Sequence, residues 1–211
     1  MSHDIDLKKL EKKAYRSIFE DGIWDLFIGM LILSFGLAPF IGLFINISEL
    51  WDVIIPSVII TTIAFLIFYL GKKYITIPRI GVVEFGPKRK SRQAKLKIFL
   101  IVMFFINVVL LILPLTDLIN YSQIQPLILS LLLGLGGIVL PFCIVAYFLD
   151  FTRLYYYSFS MGFGFFLIEF LNSFMNYPII SIVIFSVIGV SIIIIGLTYF
   201  IRFLKKYPLS K

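Results

Sequence analysis

Six runs of about twenty apolar residues, near 23–45, 53–71, 98–118, 127–148, 154–174 and 178–203, divide this chain. At 1.5 Å per helical residue each is long enough to cross the ~30 Å hydrocarbon core of a bilayer. Few folds accept that pattern. A backbone in hydrocarbon must satisfy its own amides, which restricts spanning segments to helices or closed barrels. The runs lack the two-residue alternation of barrel strands. The expected fold class is therefore all-α, a polytopic membrane bundle of six transmembrane helices. Composition agrees: 60% of the residues are hydrophobic and 15% charged, whereas soluble domains carry about 25% charged residues.

The basic residues set the expected orientation, because cytoplasmic flanks of membrane helices are enriched in Lys and Arg. All 19 of them fall before the first run, between the second and third, between the fourth and fifth, or at the end of the sixth. The other connections carry only Glu49, Asp52 and Asp117. This predicts a multi-pass protein of the cell (cytoplasmic) membrane with both termini in the cytoplasm. Residues 1–22 read as a cytoplasmic amphipathic segment, 23–71 as helices one and two, and 72–97 as a basic cytoplasmic loop. Residues 98–203 then hold helices three to six, and 204–211 form a cytoplasmic tail. The first run is too long for a signal h-region, so it is expected to remain as helix one.

Within residues 4–18, Leu7, Leu10, Ala14 and Ile18 recur at helical spacing among lysines, as in a helix lying on an anionic leaflet. The stretch FEDGIWDLFIGM follows. Glu20, Asp21 and Asp25 sit at the mouth of helix one, where unpaired amides and the positive dipole end favour acids. Asp21 before Gly22 suits an N-cap, and Trp24 suits an interface anchor. The functional counterpart is a cation or proton entrance centred on Asp25, or a dock for the basic loop.

The loop opens with KKYITIPRIG, whose β-branched and aromatic residues around Pro78-Arg79-Ile80-Gly81 predict a short β-hairpin. Gly86-Pro87 breaks the chain before KRKSRQAKLK. Arg79, Lys88, Arg89, Lys90 and Arg92 form the candidate lipid- or partner-binding set, at about 1 kcal/mol per basic residue near an anionic surface.

Catalytic chemistry finds little support. With one histidine, His3, and one cysteine, Cys143, the chain has no HExxH and no Cys cluster, and GxSxG and Walker sequences are missing. No catalytic residue, metal, cofactor or nucleic-acid partner is expected. The most informative ionisable residue is Glu169, because a carboxylate within a span is expensive unless paired or hydrated. It shares a helical face with Ser158, Gly162 and Asn172. Together with Asn107 and Asp117 these residues form a candidate intramembrane polar site, in a cavity opening away from the basic side. Ser130-xxx-Gly134 and Ser158-xxx-Gly162 have the spacing of close helix packing.

The sequence thus favours a structural or regulatory membrane subunit, not an enzyme, that engages the anionic inner leaflet, a protein partner or a second copy. The alternative is a transporter or proton- or cation-binding protein using Glu169.

Overall fold

The computed structural model describes residues 15–44, 51–81, 86–112, 125–172 and 179–208. All regular structure among them is helical. Helix α1 is Ile23–Gly42, α2 is Trp51–Ile80 and α3 is Pro87–Ile112. Helix α4 occupies residues 126–149, α5 is Arg153–Leu171 and α6 is Ile179–Lys206. Five helical stretches are long and apolar enough to cross a membrane: Ile23–Gly42, Trp51–Ile80, Ser130–Leu149, Arg153–Leu171 and Ile179–Lys206. The chain is an all-helical, multi-pass membrane protein. The third expected run begins within α3, and its continuation, residues 113–118, lies outside the described residues. Most of the surface helix expected over 4–18 lies outside them as well.

The hairpin expected after residue 72 is not formed. Gly71–Thr76 is a π-helical turn that continues directly from Leu70 and passes into Ile77–Ile80. Extending a helix adds one hydrogen bond per residue fixed, whereas a hairpin needs a new nucleus, so the strand propensity of Ile75, Thr76 and Ile77 is overridden. Gly81, at φ 79°, ends the run, and its amide donates to the Ile77 carbonyl at 2.8 Å. Its ψ of −174° puts it in a region essentially reserved for glycine, so the chain leaves the helix there.

The wide turn has an identifiable origin. A proline inside a helix lacks an amide donor and presses on the carbonyl four residues earlier, and Pro78 stands just beyond the π turn. Helix α4 repeats the arrangement, with a π-helical stretch at Leu133–Val139 followed by Pro141. Proline and inserted π turns are recognised causes of irregular helices.

The chain divides into two compact units, Met1–Val83 with Leu171–Lys211, and Glu84–Phe170. In the first unit α1 is the central helix. Its partner α6 runs antiparallel to it along a seam of glycines spaced by seven, Gly22, Gly29 and Gly36 on α1 and its cap against Gly189 and Gly196 on α6. A Cβ placed on Gly29 would lie 2.7 Å from Ile193 Cγ1, and one on Gly189 would lie 2.7 Å from the Leu33 nitrogen. Between lipid-embedded helices small residues permit this backbone approach, and van der Waals packing then holds the pair. A second face of α1 meets α2 through rings, with Trp24 4.7 Å from Phe68 and Phe27 4.9 Å from Phe65.

In the second unit Gly134 of α4 and Gly162 of α5 make a similar approach, since a Cβ on Gly134 would sit 2.7 Å from the Gly162 carbonyl oxygen. Beside them Ser158 Oγ donates to the Tyr155 carbonyl at 2.8 Å and lies 3.4 Å from Cys143 Sγ. Many span hydroxyls are satisfied within their own helix: Ser34 on Leu31, Ser57 on Val53, Thr62 on Val58 and Ser130 on Leu127. That is how Ser and Thr sit in lipid without needing a polar cavity.

Gly189→Leu is expected to destabilise the first unit by about 1–3 kcal/mol through overpacking of the seam. Gly136→Ala, where an added Cβ would meet nothing within 4 Å, is expected to change stability by less than about 0.5 kcal/mol. Thermal unfolding in detergent compares the two.

Candidate functional site

The acids of FEDGIWDLFIGM gather at one end of the first unit. Gly22, at φ 70°, caps α1, and Asp21 one residue earlier accepts the Ile23 amide at 3.2 Å through Oδ1. The cap thus uses a glycine in left-handed conformation to turn the chain and the preceding carboxylate to satisfy the first amide.

The other oxygen of Asp21 reaches across to α2. Lys72 Nζ donates to Asp21 Oδ2 at 2.6 Å and to the Ile18 carbonyl at 2.7 Å, while Thr76 Oγ1 donates to the same Oδ2 at 2.5 Å. Lys72 and Thr76 are four residues apart, on one face of the π turn. Asp21 and Asp25 are fully buried, and the Lys72 side chain is 17% exposed. The charges of both carboxylates act on the Lys72 ammonium. Removing one partner of a buried pair costs about 3–5 kcal/mol, because the other charge is left without compensation.

Further out, Glu20 pairs with Lys206 of α6 at 3.0 Å, with the two side chains 45% and 60% exposed. Such an exposed pair is screened by solvent and adds little to stability. It nevertheless marks a geometric fact: the start of α1, the last turns of α2 and the end of α6 meet at one end of this unit. Arg79, also on α2, donates through Nη1 to the Ile75 carbonyl at 3.0 Å, and its buried Nε has no hydrogen-bond partner among the described residues.

The second unit builds its own ionic cluster. Asp150, at φ 53°, ends α4 in the left-handed region. Its Oδ2 accepts Arg89 Nη1 at 2.7 Å and Arg92 Nη1 at 3.1 Å, both from the first turns of α3. Arg92 also donates to the Tyr147 carbonyl and stacks over the Tyr147 ring at 4.8 Å. The side chains of Arg89 and Asp150 are 8% and 11% exposed. Two of the five basic loop residues therefore serve an internal carboxylate, whereas Lys90 is exposed. The side chain of Lys88 lies outside the described residues.

The candidate intramembrane polar residues are not joined in the described structure. Glu169 is half-buried in α5 and makes no hydrogen bond or ion pair among the described residues. Asn172 is exposed just past the end of α5, while Asp117 and the side chain of Asn107 lie outside the described residues. A groove of about 250 Å³ does open in the second unit between α4 and α5, but it is lined by Leu131, Leu135, Val139, Phe159, Phe163 and Phe166 over Gly162. It is apolar, and Glu169 is not in its wall. Among the described residues no group of three or more metal-ligating side chains converges.

Asp150, Lys72 and Thr76 were not singled out by sequence. Asp150 had a readable signal, as the acid in the short connection FLDFTR facing a strongly basic loop. Lys72 and Thr76 could be linked to Asp21 only once the helix was known to continue past residue 71. Comparison with protein-family models, curated proteins and solved structures returned no match.

Asp21→Asn and Lys72→Met are each expected to destabilise the protein by about 3 kcal/mol, with the double variant losing clearly less than the sum. A double-mutant cycle of detergent unfolding curves measures the coupling.

Proposed function

We propose that this chain is a non-catalytic, six-span protein of the cytoplasmic membrane, with both termini in the cytoplasm, whose basic end holds anionic lipid headgroups. One observation carries the reading: all 19 Lys and Arg residues fall on one side of a six-span alternation, as positive-inside topology requires. The sixth span is α3, whose apolar part continues in sequence to residue 118.

The ion pairs of the first unit support the common sidedness of its three helix ends, since Glu20–Lys206 and Asp21–Lys72 bring those ends together. They also sort the basic residues by availability. Lys72 is held by Asp21, and Arg89 and Arg92 are held by Asp150. Lys73, Lys90, Lys95, Lys97 and Lys205 are exposed, and near an anionic leaflet each contributes about 1 kcal/mol to attraction. Helix-end lysines of this kind extend their heads to the headgroup layer while their stems stay in the apolar boundary.

Two measurements test the reading. In a Cys143→Ser background, cysteines placed at Lys90 and Lys205 are expected to react with a membrane-impermeant thiol reagent only from the cytoplasmic side, and one placed at Ser122 only from the opposite side. Lipid retained on extraction from membranes of mixed phosphatidylglycerol and phosphatidylcholine is expected to be enriched in the anionic species, and less so in a variant with Lys73, Lys90, Lys95, Lys97 and Lys205 changed to Gln. Glu169→Gln is expected to leave both results, and the response of thermal stability to Na⁺ and pH, unchanged. A cation- or pH-dependent shift that this variant abolishes would instead support the Glu169 carrier.

A further inference from the structure

Rings line one face of α5. Tyr156, Phe159, Phe163, Phe166 and Phe170 stand three, four, three and four residues apart, which keeps them within an arc of about 80° at about 100° per residue. The residues that α5 packs inside the second unit, among them Leu154, Tyr157, Ser158 and Met161, lie on the opposite face.

An average spacing of about 3.5 residues is the seam of paired helices, because it holds one stripe toward a partner along its whole length. Lipid tails, as apolar as any leucine, select no such spacing. The rings are also ordered among themselves. Phe163 stacks on Phe166 with centroids 6.0 Å apart, and Phe166 on Phe170 at 6.1 Å. Phe159 and Phe163 nevertheless remain 57% and 59% exposed.

Beside this ladder lies the groove of about 250 Å³, with Leu131, Leu135 and Val139 as its α4 wall and Phe159, Phe163 and Phe166 as its α5 wall. Gly162 leaves its floor without a side chain. Projecting rings and a cleft thus share one surface and one depth in the membrane. We infer that this surface is a two-fold contact between two copies of the chain, in which Phe159 and Phe163 of each copy enter the groove of the other. Copies inserted with the same topology are related by an axis along the membrane normal, and rotation about that axis leaves depth unchanged. A closed two-fold contact requires a self-complementary patch, and rings beside a cleft at equal depth make one.

The patch is also large enough. A large aromatic side chain buries about 150–250 Å² when covered, so Tyr156, Phe159 and Phe163 at their present exposure, with Leu131 and Leu135, offer roughly 500 Å² per copy. Two copies then bury roughly 1,000 Å², the size at which specific contacts begin. Ring stacking adds attraction beyond that area, and in lipid it is such close contact that holds helices together. The inference does not draw on lipid binding, which concerns basic residues at the helix ends.

Disulfide cross-linking in native membranes tests it. In a Cys143→Ser background, single cysteines replacing Phe159 or Phe163 are expected to link two copies about fivefold more than one replacing Val187 of α6, because a two-fold contact sets each seam residue near its own counterpart. Val187 is 61% exposed and serves as the collision control. The seam links are expected to persist when the protein is diluted into excess lipid, and Leu135→Trp, which fills the groove, is expected to reduce them about fivefold through overpacking. Wild-type protein carrying one fluorophore at its C-terminus is expected to bleach in two steps under the same dilution, a readout that needs no substitution. One-step bleaching, or seam links no stronger than those at Val187, overturns the contact and leaves the ladder facing acyl chains. Strong seam links that Leu135→Trp leaves unchanged overturn the entry of the rings into the groove.

Discussion

Helices immersed in lipid gain nothing from burying leucine against leucine, since acyl chains are as apolar as the side chains. What holds α1 to α6 must therefore be close contact itself. The glycines at positions 22, 29 and 36 and their counterparts at 189 and 196 supply it by removing the atoms that would keep the backbones apart. The other contacts of the first unit depend on this approach. It carries α1 into the position where its other face meets the rings of α2, and it brings the end of α6 close enough for Lys206 to reach Glu20. A seven-residue repeat also keeps the seam on one side of the helix, because 3.5 residues per turn is near the natural helix period.

Charge then closes the end that packing leaves open. The ion pair of Asp21 and Lys72 is nearly shut off from solvent, and it is satisfied beyond its Coulomb attraction by the Ile23 amide, the Thr76 hydroxyl and the Ile18 carbonyl. Without such additional bonds, desolvation can outweigh the attraction in a buried pair. The π turn is part of this solution. By widening the helix ahead of Pro78, it presents Lys72 and Thr76 together toward one carboxylate. In the second unit Asp150 performs the corresponding task for α3 and α4, at the cost of a left-handed backbone.

The spans were legible because twenty apolar residues in succession have few uses other than crossing lipid, and the role of Asp21 at the start of α1 was legible because a cap is read within three residues. The hairpin was misread for a physical reason: the strand preference of Ile75, Thr76 and Ile77 is weak beside a helix already under way. Other features were long-range. Nothing local ties Asp21 to a lysine 51 residues later or Asp150 to an arginine 61 residues earlier. The glycine repeat stood in plain sight but was diluted among 14 glycines, and only the pairing of α1 with α6 distinguishes its members. The serines and threonines of the spans looked like a polar lining, yet many of them donate to carbonyls of their own helix, a bond that hydropathy cannot report.

A repeat of seven turns the α1–α6 contact into a ruler with widely separated notches. Leu33 is seated on Gly189 and Leu26 on Gly196, so sliding α6 by one helical turn would set those leucines against isoleucine or phenylalanine, and the next register that restores a glycine beneath them is about 10.5 Å away at 1.5 Å per residue. A step that long would tear Lys206 from Glu20 and carry polar residues into the hydrocarbon. The pair is therefore indexed, like two combs meshed tooth to tooth, and α6 cannot work as a piston along α1.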